Sequence, residues 1–301
     1  RRDSTGGADA GSGHAARAVE CHSEGDGAVG VSVVGSQTVL IDGIEERVGA
    51  AIQLLRDFEP PDGEYYLLYS GGKDSDCILQ LAKEAGVRFR AYHNLTTIDP
   101  PEVVQHVKAH PEVTILRPER GFFAAASGSG FPTRKTRWCC EYYKERRNPP
   151  GSVLIMGVRA EESARRAKLW SPVKANWRDG SRVICPIVYW TTNQVWEFLH
   201  DRHVPYCSLY DEGFERLGCI GCPMGRRQQR LAQFKRWPRY EKAWKRLFKV
   251  LWEKRSGNLQ RDGRVWFGDR YFNSWEEMWE WWLNDEPLPG DECQGSVDMF
   301  S

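Results

Sequence analysis

No stretch of this sequence is apolar for long enough to cross a bilayer as a helix, which excludes a protein built on membrane-spanning helices. Net charge is also missing. The 42 Lys and Arg against 41 Asp and Glu leave a formal +1, so any basic surface has to be local. The opening residues lack the charged-then-apolar plan of a secretory signal. There is no internal repeat. The nine cysteines lack the regular spacing of a disulfide framework; a Cys-Cys pair and a Cys-x-x-Cys suit a reducing compartment and a metal site instead. A cytoplasmic location with no membrane partner is the expectation.

What is present suits one large α/β domain with extensions, since 301 residues bury an ample core. Residues 1–27 are rich in Gly, Ala, Ser and Asp without periodicity and read as disordered or added in cloning. Segment 28–63 reads as a strand and helix unit. Residues 29–41 form one or two short strands around Gly35-Ser36, and Asp42 caps a helix whose Ile44, Val48, Ile52 and Leu55 share a face. Pro60-Pro61-Asp62-Gly63 ends it. Segment 64–224 alternates strand and helix patterns. Strands are predicted at 65–69, 87–95, 113–116 and 153–158, with helices from Ser75 and over 99–110, where proline is tolerated in a first turn. Such alternation predicts a mainly parallel, doubly wound sheet with ligands at the carboxyl ends of its strands. Segment 225–301 reads as a basic, Trp-rich helical extension and tail.

The most informative stretch joins an apolar run, Tyr65-Tyr66-Leu67-Leu68-Tyr69, to Ser70-Gly71-Gly72-Lys73-Asp74-Ser75 and then to a helical pattern through Ile78, Leu79 and Leu81. A strand, a glycine turn and a helix N-terminus direct free N–H groups and a positive dipole end at one point, which suits a phosphate. Gly71 and Gly72 let the backbone approach it, Ser70 and Ser75 add hydroxyl donors, and Lys73 adds a charge. Asp74 fits beside an anion as a cap for the turn or as a holder of Mg²⁺. The loop is not a Walker A loop, which is longer and ends in Gly-Lys-Ser/Thr.

Cys139-Cys140 and Cys219-Ile220-Gly221-Cys222 supply four thiols. Such a set holds zinc or an iron–sulfur cluster, or else stays buried and unliganded. Adjacent cysteines are unusual in zinc knuckles, which favours iron–sulfur, of [4Fe–4S] type.

SGGKDS resembles the pyrophosphate loop of the adenine-nucleotide α-hydrolase superfamily, and from about Tyr65 to Met224 the chain resembles the phosphoadenosine/adenosine phosphosulfate reductase family. Gly157-Val158-Arg159-Ala160-Glu161-Glu162-Ser163-Ala164-Arg165-Arg166 is similar to that family's G-x-R-x-x-[EQ]-S-x-x-R element. Pro186 to Trp196 and Pro205 to Cys219 resemble two further family segments, and the four cysteines match the ligands of its iron–sulfur members, with Lys144 close to that cluster. The resemblance implies an adenine-nucleotide α-hydrolase-like fold, ATP or a sulfonucleotide as ligand, and adenosine held near His93 and Asn94, although a histidine there reads equally as structural. It makes Lys73, Asp74, Arg159 and Arg166 the candidate catalytic residues. Glu162 and Ser163 orient the loop or the nucleotide, and Gly157 belongs to the same element.

The chain departs from the reductases at its tail. They end in Glu-Cys-Gly-[LI]-His, whose cysteine attacks the sulfonucleotide; here the tail reads Asp291-Glu292-Cys293-Gln294-Gly295. Cys293 is a degenerate nucleophile or, the preferred reading, a cysteine in a polar tail without the electropositive setting a reactive thiolate needs. Cys222-Pro223-Met224 also differs from the usual Pro-Cys-Thr, and such endings resemble sulfur-inserting enzymes of DNA or tRNA.

Between Arg226 and Arg255 about a dozen Lys and Arg face only Glu241 and Glu253, interleaved with Phe234, Trp237, Tyr240, Trp244, Phe248 and Trp252. The aromatics read as the buried stripe of a helix, as do Trp275, Trp279, Trp281 and Trp282 of a second one. The bases are then either a plain solvated face or a surface for the phosphate backbone of DNA or tRNA. The expected mechanism is ATP α,β-cleavage with Mg²⁺ at the pyrophosphate. An acceptor oxygen is adenylated, and sulfur from the cluster or from a cysteine-desulfurase-type donor displaces AMP. A sulfonucleotide reductase using Cys293 with thioredoxin and a non-catalytic nucleotide- or cluster-sensing module are the alternatives, and a homodimer is an open expectation.

Overall fold

Short apolar runs bounded by turn residues become strands in this protein, and amphipathic runs become the helices that cover them. The structure, a computed structural model, describes residues 30–34, 37–41, 43–175, 180–256, 265–267 and 270–284. The expectations for 1–27, Asp42 and Cys293 lie outside these residues. Strands β1 (Gly30–Val34) and β2 (Gln37–Ile41) pair antiparallel as a separate ribbon. Helix α1 (Ile44–Asp57) follows, with Gly43 at its N-cap position.

The central domain then alternates as its sequence pattern requires. It runs β3 (Tyr65–Leu68), α2 (Lys73–Ala85), β4 (Phe89–Asn94), α3 (Pro101–Lys108) and β5 (Val113–Leu116). Next come α4 (Phe122–Ser129), α5 (Trp138–Tyr143), β6 (Val153–Ile155), α6 (Ala164–Leu169), β7 (Val173–Ala175), β8 (Arg182–Ile184) and α7 (Thr192–Asp201). The helix predicted from Ser75 begins two residues earlier, at Lys73, so the lysine and aspartate of the loop lie in the first helical turn. The strand expected over 153–158 stops at Ile155, before the chain passes against the loop at Gly157.

Six strands form one sheet in the order β5-β4-β3-β6-β8-β7. All neighbours pair in parallel except β7, which runs antiparallel to β8 at the edge. This is an α/β, mainly parallel sheet, and its central strand β3 leads into the loop. Successive side chains of β3 point to opposite faces. Tyr65 and Leu67 enter the larger core with Ile78, Leu81 and Ile155, while Tyr66 enters the smaller one with Leu154, Met156 and Val183.

The basic stretch forms two helices, α8 (Arg227–Arg236) and α9 (Pro238–Ser256), broken where Pro238 opens the second. Strands β9 (Val265–Phe267) and β10 (Arg270–Phe272) pair, and α10 (Trp275–Leu283) packs back on α9. The aromatic stripe is buried as its spacing predicts: Trp244 and Phe248 are inaccessible, and Trp244 stacks on Trp282 at 4.7 Å between ring centroids. Each such side chain contributes about 1.5–3 kcal/mol by leaving water. The solvated-face reading fails at Arg230, which is fully buried and donates to the carbonyls of Trp282 at 2.8 Å and Leu283 at 3.0 Å. Its guanidinium satisfies the C-terminal carbonyls of α10, which have no partner within their own helix. Among the described residues no helix is long and apolar enough to cross a membrane.

Candidate functional site

The loop after β3 is closed by one hydroxyl. Ser75 Oγ accepts from the backbone N–H groups of Gly71 and Gly72, each at 3.0 Å, and donates to the Gly72 carbonyl at 2.7 Å. Ser70 Oγ donates to it at 3.2 Å. Ser75 is therefore the staple of the loop, not the free hydroxyl donor expected from sequence. The N–H of Lys73 is engaged too, donating to Tyr210 Oη at 2.9 Å. Gly71 has φ +79°, and a Cβ there would meet Val103 and Val107 of α3 at 2.9 Å, so only glycine fits this turn.

Charges beside the loop form a chain. Lys73 Nζ lies 3.6 Å from Asp74 Oδ2, and Arg159 Nε donates to Asp74 Oδ1 at 2.6 Å. Arg159 Nη1 reaches Glu161 Oε2 at 2.6 Å and Thr192 Oγ1 at 3.1 Å. Burial raises the Glu161 carboxyl, but hydrogen bonds from Thr192 and Arg159 outweigh it and hold the carboxyl below its usual value. Arg166, which burial makes less basic, pairs with Glu162 at 2.5 Å. Ser163 accepts from the N–H of Arg166 at 3.1 Å and so caps α6.

Lys73, Asp74, Arg159, Glu162, Arg166 and Thr192 line a cleft of about 1160 Å³ at the carboxyl ends of β3, β4 and β6. His93 and Asn94, at the end of β4, line it as well. His93 Nδ1 is 3.0 Å from the Tyr69 carbonyl, its Nε2 is buried without a hydrogen-bond partner, and burial holds the ring neutral by lowering its pKa. Asn94 Oδ1 is a second buried polar atom without a partner. Tyr210 and Arg216 also line the cleft and were not singled out from sequence. Tyr210 sits inside the segment from Pro205 to Phe214, so the signal for it was present.

The four cysteines share one neighbourhood. Cys139 and Cys140 open α5, and Cys219 and Cys222 end a turn that packs on α9. A hydrogen bond with Cys140 raises the Cys139 thiol, and the charges of Cys140, Cys219 and Cys222 raise it further. The same hydrogen bond lowers Cys140, helped by Lys144 and Arg137, whose Nη2 donates to Cys140 Sγ at 3.1 Å. Burial pushes Cys219 up to about 12. Lys144 is held in its charged form by Cys219, Cys140, Asp99 and Cys222 together. A Cβ on Gly221 would lie 2.6 Å from Trp244 Nε1, so the Cys-Ile-Gly-Cys turn and the Trp-rich helix fit one another through a missing side chain. Four thiols facing two cations form a donor set that suits a thiophilic metal centre.

The family described as the phosphoadenosine phosphosulfate reductase domain matches residues 64–225 of this chain. An adenosine 5'-phosphosulfate reductase of Oceanobacillus iheyensis is 32% identical over 128 residues, covering 40% of this chain and 50% of that protein. An uncharacterized protein of Methanocaldococcus jannaschii is 30% identical over 169 residues, 52% of this chain and 40% of that protein. The matched stretches span half or less of these relatives' own length. Among solved structures, a phosphoadenylyl-sulfate reductase of Candida auris in a phosphate complex superposes with a TM-score of 0.44 at 18% identity, over 62% of this chain and 98% of that one.

Proposed function

Since the chain belongs to the phosphoadenosine phosphosulfate reductase domain family through residues 64–225, we propose that its cleft binds and cleaves an adenosine 5'-phosphoanhydride. The observation that carries this reading is the placement of two kinds of group on neighbouring strand ends. The charged loop follows β3, while the partnerless His93 Nε2 and Asn94 Oδ1 end β4 in the same cleft. A nucleoside hydrogen-bonds the second pair, and its anionic end lies against Lys73, Arg159 and Arg166.

Lys73 and Arg159 lean on Asp74 in the free protein, so both are aimed before the ligand arrives, and little reorganisation is needed when charge develops. In the first reading the ligand is ATP. An acceptor oxygen, such as a base carbonyl, attacks the α-phosphorus, and the bond to the bridging oxygen of pyrophosphate breaks. Pyrophosphate leaves with the electron pair, countered by Lys73, Arg159 and Arg166. Asp74 would help hold Mg²⁺, which shields the same charge. The terminal sulfur of a persulfide on a cysteine-desulfurase-type donor then attacks the activated carbon, AMP leaves with the C–O electron pair, and a second thiol cleaves the resulting disulfide so that the sulfur stays on the acceptor. Cys139, Cys140, Cys219 and Cys222 would hold an iron–sulfur cluster, which supplies electron-transfer or sulfur chemistry when bound. DNA or tRNA as acceptor would lie along the exposed bases of α8 and α9. The tail Glu292-Cys293-Gln294 supports ATP over a sulfonucleotide, because it lacks the Gly and His that follow the reductase cysteine.

A second reading is favoured by the relatives named adenosine 5'-phosphosulfate reductase. There a thiolate attacks the sulfur of a sulfonucleotide, AMP or its 3'-phosphate leaves, and reduction of the resulting thiosulfonate by a thioredoxin-type dithiol frees sulfite. The deciding experiment gives anaerobically purified protein ATP or a sulfonucleotide, with and without DNA or tRNA. Pyrophosphate release that survives Cys293→Ser supports the first reading. Sulfite release lost in Cys293→Ser replaces it with the second, and nucleotide binding without either product leaves a binding module.

A further inference from the structure

Beside the glycine loop, outside the cleft, stands a largely buried trio that neither reading uses. Asp76 of α2, His106 of α3 and His110 just beyond α3 each offer one ligand atom, and the three atoms lie within 4.8 Å of one another. Among the described residues this is the one group of three His, Cys, Asp or Glu so arranged. The side chains of Asp76 and His106 are 0% and 8% exposed, and none of the three lines the cleft.

Hydrogen bonding accounts for only part of the trio. His106 Nε2 is 3.0 Å from Asp76 Oδ1, and Tyr69 Oη donates to the same oxygen and stands 3.1 Å from the same nitrogen. Asp76 Oδ2 and His110 Nε2 remain buried without a hydrogen-bond partner. A buried polar atom orphaned in this way is destabilising, because it has given up water for nothing. A proton on Asp76 Oδ2 would relieve neither orphan unless it also found an acceptor. A cation between them relieves both.

We propose that Asp76, His106 and His110 bind a divalent d-block cation of the zinc type. Two imidazole nitrogens and a carboxylate oxygen match that class of ion. Bond lengths of about 2.0–2.1 Å place tetrahedral donors about 3.3 Å apart, so the trio has to close by about 1.5 Å at most. Tyr69 Oη stands beside the site as a further donor. Glu112 lies 3.8 Å from His110 Nδ1, close to the carboxylate position that orients metal-bound histidines through their second nitrogen. Lys83, the nearby positive charge, is already paired with Glu112.

The ion has a mechanical consequence for the loop. Val103 and Val107, the residues that a Cβ on Gly71 would strike, share α3 with His106, and His110 follows directly. Fixing the histidines to Asp76 therefore presses α3 against the glycine turn. The cation site stands on its own geometry; only this consequence rests on the nucleotide reading.

The test is a titration of full-length, chelator-treated protein with Co²⁺ as probe, followed by absorbance, because thiolate-bound cobalt has near-ultraviolet charge-transfer bands that nitrogen- and oxygen-bound cobalt lacks. The expected result is one equivalent of tightly bound Co²⁺ with visible d–d bands and no thiolate band, competed by Zn²⁺. That equivalent is lost in His110→Gln and in Asp76→Asn, while thiolate-bound metal persists. Wild-type protein that binds Co²⁺ only with thiolate bands overturns the proposal without recourse to any variant. Retention of the thiolate-free equivalent in soluble His110→Gln also overturns it. ATP affinity is then measured with and without Zn²⁺. A several-fold gain that vanishes in His110→Gln supports the link to the loop, and unchanged affinity with metal bound overturns that link alone. Absence of any ATP binding instead counts against the nucleotide reading and leaves the metal result standing.

Discussion

A Cβ on Gly157 would lie 2.8 Å from the carbonyl oxygen of Asp74, closer than real Cβ contacts come. The chain leaving β6 thus passes against the first turn of α2 with no room for a side chain. That approach also brings Arg159 within 2.6 Å of the Asp74 carboxylate. Backbone proximity and ion pair are two results of one close crossing.

Gly157→Ala is expected to push the loop and the Arg159 segment apart. The strain is with backbone atoms, which cannot rotate away, so a loss of about 1–3 kcal/mol in stability is expected. ATP affinity should fall by more than the fold does. Thermal unfolding and calorimetric titration of the same preparation check this, and unchanged affinity would mean the crossing does not set the loop.

Tyr210→Phe removes the acceptor for the Lys73 N–H. One net hydrogen bond is worth about 0.5–1.5 kcal/mol, so free-state stability should drop by that order. A bound phosphate oxygen would take over the same N–H, so nucleotide affinity should hold or rise. A tenfold loss of affinity would instead assign the hydroxyl to the ligand.

Gly221→Ala sets a methyl group against Trp244 at a backbone φ of +76°. Non-glycine strain and overpacking together predict a loss of about 2–4 kcal/mol. Metal content of anaerobically purified protein is expected to fall, as is also expected of Cys219→Ser, although Gly221→Ala leaves all four thiols in place. Trp244→Phe in the same chain should restore part of it, since it removes the atom that the methyl group meets most closely.

His93 carries a pH signature. Burial lowers its folded-state pKa below the usual value near 6.5, so the unfolded chain binds the extra proton first. Its contribution to stability is complete above about pH 6.5 and is lost as pH falls from there toward the lowered folded-state value, with a slope of at most about 1.4 kcal/mol per pH unit. In His93→Asn, whose amide can still donate to the Tyr69 carbonyl, the decline in melting temperature between about pH 6.5 and 5 should flatten. An identical decline in both proteins would place the titrating group elsewhere.

Much of the site was legible in the sequence because its parts are local. A strand, two glycines and a helix start within a few residues, and Ser75 closes the turn over spacings of three to five residues. Cys139-Cys140 and Cys219-Ile220-Gly221-Cys222 stood out by spacing and residue type, and the fold brings the two pairs close enough for their charges to act on one another. The aromatic stripe of α9 followed from helical period alone.

The sequence by itself thus determined the alternation of strand and helix, the glycine turn that leads from β3 into α2, and which aromatics face inward. Only the tertiary structure decided the rest. Tyr210 meets the Lys73 N–H from 137 residues away, Arg230 ends up inside because the last carbonyls of α10 arrive beside it, and β7 turns antiparallel at the sheet edge. Asp76, His106 and His110 come together because α3 approaches the glycine turn, where a Cβ on Gly71 would strike Val103 and Val107, and so carries His106 to Asp76 in the first turn of α2. Hydrophobic period dictates which face of an element is buried, but it carries no information about which distant polar group that face will meet. That meeting is set by strand order and close packing, and those exist only once the chain has folded.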